Sequence, residues 1–551
     1  MCEFRSGEYR EIHIFARREE GEEGWLWLIG SEGGKQELCL GEDLYRMIRF
    51  PLVTDERYRL ESKGVRISQM YLTECQGLLE KGIRFLHPET GGELNLADWY
   101  DTPWREQYHF GPFVNWINDP NGLCWYQGYY HLFFQANPYG QRWDDMYWGH
   151  AVSRDLIHWT HMPFALEPQP DLWRDPNRKG GAFSGSAAVK DDGIHLYLTR
   201  HDGPQTDSPE TQEWQTKAIC RDGIHITEEK EFITEKPKGA SFDFRDPKVV
   251  KVDGTWYMVL GSCIDQVPAF LLYQKMEDKS WQYKGPLLSE KRPGIRTFEC
   301  PDFFPLDGKF VALAAWMCHH DEANRYQMTR CYIGEFTGER LSVEAEQWMD
   351  FGSNYYAVQT FEHEGRRVAI GWISDFYQEH WDMENGAYGS FALPRELSVR
   401  ENRLYMRPVR ECGQLLGDRI FWAKDQRRIP ETKLPGNCFY VKVRLRGDGD
   451  FRIVLAKDEE DTLSLVREKG LTGIVSSKEE VSQVSFPSDV RKVREMEIFV
   501  DRRLTEVFLN EGESAGAKLF YQKGMNGFLE AEFAEGDLAE FEVRSVKAIW
   551  N

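Results

Sequence analysis

Residues 126–134 read Tyr126-Gln127-Gly128 followed by YYHLFF, a tight turn leading into an apolar, aromatic strand. The same unit recurs four more times, as IHLYLT after Asp192-Gly193, TWYMVL after Asp253-Gly254, KFVALA after Asp307-Gly308 and RRVAIGW after Glu364-Gly365. The turn glycines are 65, 61, 54 and 57 residues apart. Such an interval holds four strands of about five or six residues with their loops, and a four-stranded sheet is the blade of a β-propeller. The turn alone is a common hairpin element, so the prediction of five blades depends on the even spacing.

The sequence on both sides of the repeat also alternates with the period of β-strands. Runs such as REIHIFARR and GWLWLIG predict a small N-terminal β module, and the stretch from Asn95 to Glu106 is interpreted as a connector. After about residue 410, runs such as FYVKVRLRG and TEVFLN predict an antiparallel β-sandwich. The predicted fold is all-β, with an N-terminal module at 1–100, a five-bladed propeller at 101–410 and a C-terminal β-sandwich at 411–551.

The composition disfavours several classes of function. The chain has 68 Lys+Arg and 90 Asp+Glu, a formal net charge of −22, which opposes binding to nucleic acid or to an anionic membrane surface. No run approaches the ~18 apolar residues of a membrane helix, and the first residues, MCEFRSGE, do not resemble a secretory signal. The 11 scattered cysteines are never spaced as C-x-x-C and favour free thiols in a reducing compartment. We expect a cytoplasmic protein without nucleic-acid or membrane partners, and a homo-oligomer is left open.

Counting back from the turn glycines gives residues at equivalent places in the blades. Nine residues back lie Asp119, Ser184, Glu299 and Tyr356, and eight back in the third repeat lies Asp246. If this level belongs to the innermost strand, the three carboxylates converge at one mouth of the channel. Their mutual repulsion and burial would raise at least one pKa, which is typical of a functional site. Each acid alone has an ordinary explanation, as a turn former, an ion-paired surface residue or a local cap; the shared level favours the site.

Two kinds of chemistry use converging carboxylates. Oxygen ligands hold Ca²⁺ or Mg²⁺, whereas a pair of carboxylates cleaves a glycosidic bond, one as nucleophile and the other as general acid. Aromatic residues favour the second, because flat rings stack on sugars, although most of these rings are also expected to pack between blades. They are Trp116, Trp125, Trp143, Trp148, Phe183 and Trp316. His319-His320-Asp321 resembles a metal cluster, but adjacent side chains of a strand point apart, so we interpret it as a loop.

At these residues the chain resembles glycoside hydrolase family 32, the invertases, sucrose-6-phosphate hydrolases, inulinases and levanases. Residues 115–122, Asn-Trp-Ile-Asn-Asp-Pro-Asn-Gly, look like the nucleophile motif of the family, Phe244-Arg245-Asp246-Pro247 like its RDP motif, and Phe298-Glu299-Cys300-Pro301-Asp302 like its EC motif. Residues 393–397, Leu-Pro-Arg-Glu-Leu, and residues 500–508 are also similar to family stretches. The resemblance implies a five-bladed propeller followed by a β-sandwich, in agreement with the repeat.

The resemblance also implies a role for each acid. It assigns Asp119 as the nucleophile, Glu299 as the acid/base, and Asp246 as a transition-state stabiliser that holds fructose hydroxyls with Arg245. We expect neighbouring charge and burial to raise the pKa of Glu299, while Asn118 and local N–H donors keep that of Asp119 low. No metal or organic cofactor is implied. The family positions that line the fructose pocket match Asn118, Gln135, Trp143, Trp148, Phe183, Ser184, Arg245 and Phe376.

Two departures from the family pattern concern the side of the leaving group. Asn354 stands where an aspartate is usual, and the stretch from Gly386 to Leu393 lacks the common Trp-Arg-Gly. The leading hypothesis is a retaining β-fructofuranosidase that releases terminal fructose from sucrose, sucrose 6-phosphate or fructo-oligosaccharides and fructans. The alternatives are a fructosyltransferase of the same fold and a protein that binds fructan without cleaving it. The role of residues 1–100 stays open between shaping the pocket rim, binding glycan and dimerisation.

Overall fold

The computed structural model describes residues 1–41, 44–205, 208–320, 326–375, 386–459, 461–477 and 487–550. These residues form 41 β-strands, and the two α-helices among them are single turns, α1 (Leu78–Lys81) and α2 (Leu96–Tyr100). Short 3-10 turns occupy Leu172–Arg174, Arg410–Leu415 and Asn510–Gly512. The prediction of an all-β fold is confirmed. No helix among the described residues is long and apolar enough to span a bilayer.

The first hundred residues form two antiparallel, four-stranded sheets, here called the N-terminal sheets, which share a buried apolar core. Alternate residues of a strand face opposite sides of its sheet: in β3 (Gly24–Gly30), Leu26 and Leu28 are fully buried, while Trp25 and Trp27 face outward and are partly exposed. One sheet consists of β1 (Cys2–Arg5), β6 (Arg57–Lys63), β3 (Gly24–Gly30) and β4 (Lys35–Leu40), and the other of β5 (Arg46–Pro51), β2 (Glu11–Arg18), β7 (Val65–Thr73) and β8 (Arg84–Leu86).

The repeat region folds into five successive sheets, here called the central sheets, in which neighbouring strands are antiparallel apart from one short parallel pair. Four of the repeat glycines lie in the turn between the first two strands of their sheet, and the fifth, Gly193, is the first residue of the second strand. In four of these turns both central residues have positive φ, the type I′ geometry that suits a right-twisted hairpin. The first sheet consists of β9 (Asn115–Tyr126), β10 (Tyr129–Asn137), β11 (Tyr147–Ser153) and β12 (Trp159–Leu166), with the short strand β27 (Ala387–Tyr388) parallel to β9; the second consists of β13 (Arg178–Lys190), β14 (Gly193–Pro204), β15 (Gln212–Cys220) and β16 (Ile226–Ile233). The third consists of β17 (Ala240–Val252), β18 (Thr255–Ile264), β19 (Val267–Lys275) and β20 (Trp281–Ser289), and the fourth of β21 (Phe298–Leu306), β22 (Lys309–Trp316), β23 (Thr329–Phe336) and β24 (Leu341–Trp348). The fifth consists of β25 (Tyr355–His363), β26 (Arg366–Ile373), β29 (Arg395–Arg400) and β30 (Arg403–Pro408), with β28 (Ser390–Phe391) paired to β26.

The first strands of the five central sheets contact one another in cyclic order. Strand β9 contacts β13, β13 contacts β17, β17 contacts β21, β21 contacts β25, and β25 contacts β9 again. Outer strands are more exposed, as in β16, where five consecutive residues face solvent. The first strands therefore form the shared interior of this region.

Every first strand of the central sheets contains the same irregularity. At one point two of its residues stand opposite a single residue of the second strand, which is a β-bulge. The bulged pairs are Asn118-Asp119, Phe183-Ser184, Asp246-Pro247, Cys300-Pro301 and Ala357-Val358. Bulges bend a strand and redirect its side chains. Each of the five first strands therefore redirects side chains at the same level of its sheet.

The last part of the chain forms two antiparallel sheets, here called the C-terminal sheets, around a second large apolar core. The larger sheet consists of β31 (Leu416–Lys424), β41 (Leu538–Val546), β33 (Cys438–Leu445), β37 (Glu495–Asp501), β38 (Leu504–Leu509) and β39 (Ser514–Leu519). The smaller consists of β32 (Arg428–Leu434), β40 (Gly527–Phe533), β34 (Phe451–Lys457), β35 (Thr462–Glu468) and β36 (Leu471–Ser476).

A buried polar network joins the C-terminal sheets to the segment that precedes β9. The Asp501 carboxylate accepts the backbone N–H groups of Gln107, Tyr108 and His109 at 2.7, 2.9 and 3.0 Å. The His109 ring contacts Asp501 at 2.8 Å and Glu506 at 2.9 Å, and no part of these three side chains is exposed. Glu506 also accepts a hydrogen bond from Arg395 at 2.7 Å. Because burial without partners is costly for charged groups, this network fixes how the two regions join.

The junction predicts a pH-dependent stability. Burial alone lowers the pKa of His109, but Asp501 and Glu506 raise it to about 9. A raised pKa contributes stability that is complete below the ordinary value near 6.5 and is lost as pH rises through 9, by about 3 kcal/mol in total. We expect the thermal unfolding midpoint of the parent protein to decrease as the pH is raised from 6.5 to 9. The fall should be smaller in His109→Gln and unchanged in the exposed control His158→Gln; parallel pH profiles for the parent and His109→Gln would contradict this.

Candidate active site

One open cavity of about 450 Å³ lies where the bulges of the central sheets face one another. Asp119, Asp246 and Glu299 all line it, so the three acids, which are far apart in sequence, meet at a single hollow. Of the other predicted residues, Asn118, Gln135, Trp143, Phe183 and Arg245 also line it. The similar offsets from the turn glycines place all three acids at a bulge: Asp119 and Asp246 belong to one, and Glu299 directly precedes one.

Asp119 is held by donors from two other central sheets. Its Oδ2 atom accepts a hydrogen bond from the Ser184 hydroxyl at 2.5 Å and contacts the Cys300 thiol at 3.2 Å. Beside it, the Asn118 amide donates to Gln135 at 2.5 Å and accepts from the Trp116 indole at 2.8 Å. These contacts orient both side chains of the first bulge toward the cavity.

Asp246 is a buried residue in a strained backbone conformation. Its φ is 63°, a left-handed value that is uncommon for a residue with a Cβ. Its N–H donates to the Thr199 hydroxyl at 2.9 Å, and its Oδ2 accepts the Cys300 N–H at 2.8 Å. Cys300 thus contacts both Asp119 and Asp246 and joins three bulges. Strain of this kind concentrates at functional sites.

Glu299 is fixed through both carboxylate oxygens. Arg245 donates to Oε1 at 3.2 Å, and the Tyr356 hydroxyl donates to Oε2 at 3.0 Å. The side chain keeps 19% of its surface exposed, on the cavity side. It is therefore held in place and remains accessible to a molecule in the cavity.

Arg245 is the centre of the charges beneath the cavity. Its guanidinium donates to Glu213 at 2.8 Å and to Asp243 at 2.6 Å in addition to Glu299. Although burial acts in the opposite direction, Arg245 and His201 lower the pKa of Glu213 to about 2. Arg296 also donates to Asp243, at 3.0 Å. The two guanidiniums therefore contact three carboxyl groups, while Asp119 and Asp246 add two more acids to the same site without such a contact. The excess of acidic groups favours retention of protons in the site.

The pKa values of all three cavity acids are raised. Burial raises the pKa of Glu299, and Asp119 raises it further, whereas Arg245 and the Tyr356 hydroxyl lower it. Burial raises the pKa of Asp246 well above its ordinary value, with Arg245 opposing the shift and Asp119 and Glu299 adding to it. The prediction of a raised Glu299 is confirmed. The expectation of a low Asp119 is wrong, because burial raises the pKa of Asp119 more than Ser184, Cys300 and Asn118 lower it.

Two of the predicted pocket residues do not line the cavity, and a third lies outside the residues that the structure describes. Ser184 is beneath it and acts through its hydrogen bond to Asp119. Trp148 is fully buried, and its indole donates to the Phe183 carbonyl at 2.9 Å, so it supports a lining residue from behind. Phe376 lies outside the described residues. Trp116 lines the cavity, whereas Trp316 is buried between sheets and Trp125 stacks on His363, the packing role that most of these rings were expected to have.

Several residues at the site were not predicted as site residues. Tyr356 had a signal, because it stands at the same offset as Asp119 and Glu299. Glu213, in the third strand of its sheet, had none, since its role arises only from contact with Arg245. The other residues missed at or beneath the cavity include His201, Phe242, Asp243, Arg296, Cys300 and Trp372.

The two departures from the family pattern lie at the boundary with the C-terminal sheets and beside the cavity. Asn354 is buried, accepts the Leu519 N–H at 3.0 Å and donates to the Ser374 carbonyl at 2.7 Å, so it links sheets and does not line the cavity. Gly386 accepts the Asn115 N–H and leads into β27, which pairs with β9.

In the part of the chain that the structure describes, no group of three His, Cys, Asp or Glu side chains is arranged to hold a metal ion. His319 packs against Trp316, and Asp321 is outside the described residues.

Comparison with known proteins places this arrangement in context. Residues 109–408 match the model of the glycosyl hydrolases family 32 N-terminal domain. The sucrose-6-phosphate hydrolase of Escherichia coli is 31% identical over 466 residues, 79% of this chain and 93% of that protein. The levanase of Bacillus subtilis is 28% identical over 502 residues, 82% of this chain and 72% of that protein.

Two solved structures are also similar. A glycoside hydrolase family 32 protein from Bifidobacterium adolescentis is 34% identical, covers 100% of both chains and superposes with a TM-score of 0.93. A mutant of the Bombyx mori GH32 beta-fructofuranosidase in complex with sucrose is 27% identical, covers 82% of this chain and 97% of that one, and has a TM-score of 0.69. The likeness to the Bifidobacterium structure includes the N-terminal sheets, since it spans the whole chain.

The charge network beneath the cavity predicts a specific loss of stability. Arg245→Met leaves Glu213 and Asp243 buried without this partner, and breaking a buried pair typically costs about 3 to 5 kcal/mol. Because the lowered pKa of Glu213 gives stability that is present above its ordinary value near 4.5 and is lost toward pH 2, the variant should lose most near neutral pH. We expect its unfolding midpoint to drop by several degrees at pH 7 and by clearly less at about pH 3, inside the range where the Glu213 contribution is being lost. The exposed pair Arg428–Glu530 supplies the control Arg428→Met, and an equal drop in both variants would contradict the prediction.

Proposed function

The chain belongs to glycoside hydrolase family 32, and from this premise we propose that its central cavity is the active site of a retaining β-fructofuranosidase. It releases terminal fructose from sucrose, sucrose 6-phosphate and fructo-oligosaccharides or fructans. The observation that carries the proposal is the meeting of Asp119, Asp246 and Glu299 with Arg245 at one hollow large enough for a sugar. The curated relatives named above hydrolyse sucrose 6-phosphate or levan, and one similar structure holds sucrose.

We propose in addition that the five central sheets are the blades of a β-propeller. The cyclic contacts of the first strands and the bulges at one level support this arrangement, because a propeller places its first strands around a common channel. The two C-terminal sheets, with their shared core, support a β-sandwich at 411–551. The separate apolar core of the N-terminal sheets supports a distinct module at 1–100.

In the first step Asp119 attacks the anomeric carbon of the fructosyl unit. The bond from that carbon to the leaving oxygen breaks, and the oxygen takes its electron pair and the proton held by Glu299. The raised pKa of Glu299 suits it to carry that proton near neutral pH. Asp119 must be ionised to attack, and the Ser184 and Cys300 donors stabilise its carboxylate against burial.

In the second step water attacks the fructosyl-enzyme ester. Glu299, now ionised, takes a proton from the water, and the bond between the fructosyl carbon and Asp119 breaks to restore the carboxylate. Two displacements at one carbon retain its configuration. Asp246 and Arg245 face the same space and are placed to bind the ring hydroxyls, the contacts through which Asp246 stabilises the transition state.

The location and assembly of the protein remain predictions. No disulfide bond joins the cysteines of the described residues, which fits a reducing compartment and the proposal of a cytoplasmic enzyme. Nucleic acid and membranes remain unfavoured partners on charge, and homo-oligomerisation remains a prediction open to measurement of the mass in solution.

A substrate panel tests the proposed function. Purified protein is incubated with sucrose, sucrose 6-phosphate, kestose, inulin and levan, and fructose is measured. Release of fructose from at least one substrate is expected, with retention of configuration seen by NMR at early times. No fructose from any of them would refute the function, and accumulation of products longer than the substrate at high sucrose would identify a fructosyltransferase instead.

The assigned acids predict distinct variants. Asp119→Asn and Glu299→Gln should each lower kcat by several orders of magnitude with a normal circular dichroism spectrum. For Glu299→Gln, a fructoside with an activated leaving group should recover part of the first step, because that oxygen needs less protonation, whereas Asp119→Asn should recover nothing. Recovery in both variants, or in neither, would contradict the roles assigned here.

The Tyr356 hydroxyl predicts a shift of the pH profile. It donates to the Glu299 carboxylate and lowers the pKa of that group, so Tyr356→Phe should move the basic limb of kcat/KM to higher pH. The neighbouring Tyr355 provides the control, because its hydroxyl has no hydrogen-bond partner among the described residues. The profile of Tyr355→Phe should match that of the parent. A basic limb that stays in place in Tyr356→Phe would show that Glu299 does not set it.

A further inference from the structure

A second cavity, of about 550 Å³, lies between the N-terminal sheets and the loop that joins β10 to β11. We call it the basic cavity. The N-terminal sheets contribute side chains from β2, β7 and the segment before β5, and the first central sheet contributes that loop and the start of β9. Its lining includes Arg17, Tyr45, Arg66, Asn115, Tyr139, Arg142, Asp144, Asp145 and Lys179.

The charges of the basic cavity are unbalanced. Arg17, Arg66 and Arg142 have no carboxylate partner in the portions of the chain that the structure describes, and the buried Nε atom of Arg17 lacks any hydrogen-bond partner there. Lys179 is paired with Asp144. This local positive excess is notable in a chain whose formal net charge is −22.

The only other acid in the lining of this cavity, among the described residues, contributes little negative charge. Asp145 is buried, and its Oδ1 accepts the Gly180 N–H at 3.1 Å. Burial, together with the neighbouring Asp144, raises the pKa of Asp145 to about 7. This raised pKa reduces the negative charge that Asp145 carries near neutral pH.

The walls of the basic cavity are ordered. Tyr45 and Tyr139 stack with ring centroids 4.7 Å apart and planes 8° from parallel, and the Arg17 guanidinium lies over Tyr45 at 5.3 Å. From β7, Ser68 and Gln69 both donate to the Pro138 carbonyl at 2.6 Å, which anchors the start of the loop. Cationic donors held in place before binding lose less entropy on binding than mobile ones.

The basic cavity and the catalytic cavity share one wall. In the loop, Arg142 and Asp144 line the basic cavity, while Trp143 between them lines the catalytic cavity. At the start of β9 the neighbours Asn115 and Trp116 divide in the same way. A group bound in the basic cavity would therefore lie directly beside the rim of the active site.

We propose that the basic cavity binds the phosphate group of a phosphorylated sugar. Guanidinium groups match the geometry of phosphate oxygens and form charge-assisted hydrogen bonds with them, and the packing of Arg17 and Tyr139 against the Tyr45 ring holds this side of the cavity in place before a ligand binds. The phosphate has two possible sources, a phosphorylated substrate whose fructosyl unit is in the catalytic cavity, or a separate sugar phosphate. The first source rests on the function proposed above, whereas the second does not.

The test uses the double variant Arg17→Gln/Arg66→Gln, which changes two residues of the N-terminal sheets and none that lines the catalytic cavity. Arg142→Gln, in the loop, is a second variant in case the double variant is unstable. Arg57→Gln, an exposed arginine of β6, is the matched control. Steady-state kinetics with sucrose and with sucrose 6-phosphate are measured for each, and calorimetry measures binding of glucose 6-phosphate, inorganic phosphate and glucose.

If the substrate supplies the phosphate, KM for sucrose 6-phosphate should rise about tenfold or more in the variants, as expected for loss of charge-assisted hydrogen bonds, while sucrose kinetics and Arg57→Gln stay as in the parent. If a separate molecule supplies it, kinetics with both substrates should be unchanged, and binding of glucose 6-phosphate or phosphate should weaken about tenfold in the variants only. Glucose should not bind the basic cavity measurably in either case.

The proposal is overturned if the parent binds neither phosphate probe and the variants leave sucrose 6-phosphate kinetics unchanged. It is also overturned if the variants weaken sucrose and sucrose 6-phosphate equally. Failure of the parent to hydrolyse either sugar would refute the proposed function instead, and calorimetry would still decide whether the basic cavity binds phosphate.

Discussion

In each of the five central sheets, two residues of the first strand share one partner on the second strand, and this extra residue determines where the functional side chains lie. A regular strand would send alternate residues to opposite faces of its sheet. The bulge bends the strand and redirects the side chains beside it. Asp119 and Asp246 belong to bulges, and Glu299 directly precedes one. Because the five first strands contact one another in a cycle, one irregularity repeated five times brings these carboxyl groups to one hollow.

The charge of that hollow is costly, and the surrounding contacts show how the cost is limited. Arg245 contacts Glu213, Asp243 and Glu299 at once, so a single guanidinium stabilises groups from three strands. The raised pKa values of the cavity acids show that this compensation is incomplete. Incomplete compensation suits the role proposed for Glu299, because a raised pKa favours retention of the proton that an acid catalyst must donate. It opposes the ionisation of Asp119, and the donors around Asp119 act against that effect without cancelling it.

The sequence predicted what depends on local pattern and missed what depends on contacts between distant strands. The turn glycines and alternating runs were enough to predict an all-β chain, and a constant offset from the turns located Asp119, Ser184, Glu299 and Tyr356. Nothing in that pattern indicates that the Glu213 side chain contacts Arg245, because the two meet only after neighbouring sheets pack. The low pKa expected for Asp119 failed for the same reason, as the extent of burial is set by the whole assembly of strands.

The N-terminal sheets show how a region outside the chemistry acts on it. Their β7 strand fixes the Pro138 carbonyl, and five residues later in the same loop Trp143 reaches the catalytic cavity, with its ring edge-on to Phe183 at 5.9 Å. A shift of these sheets would therefore move an aromatic wall of the active site. The same loop carries Arg142 into the basic cavity, so the contact that positions Trp143 also positions a cation for phosphate. Because one loop serves both cavities, the N-terminal sheets are expected to influence substrate choice through the position of this wall as well as through their own arginines.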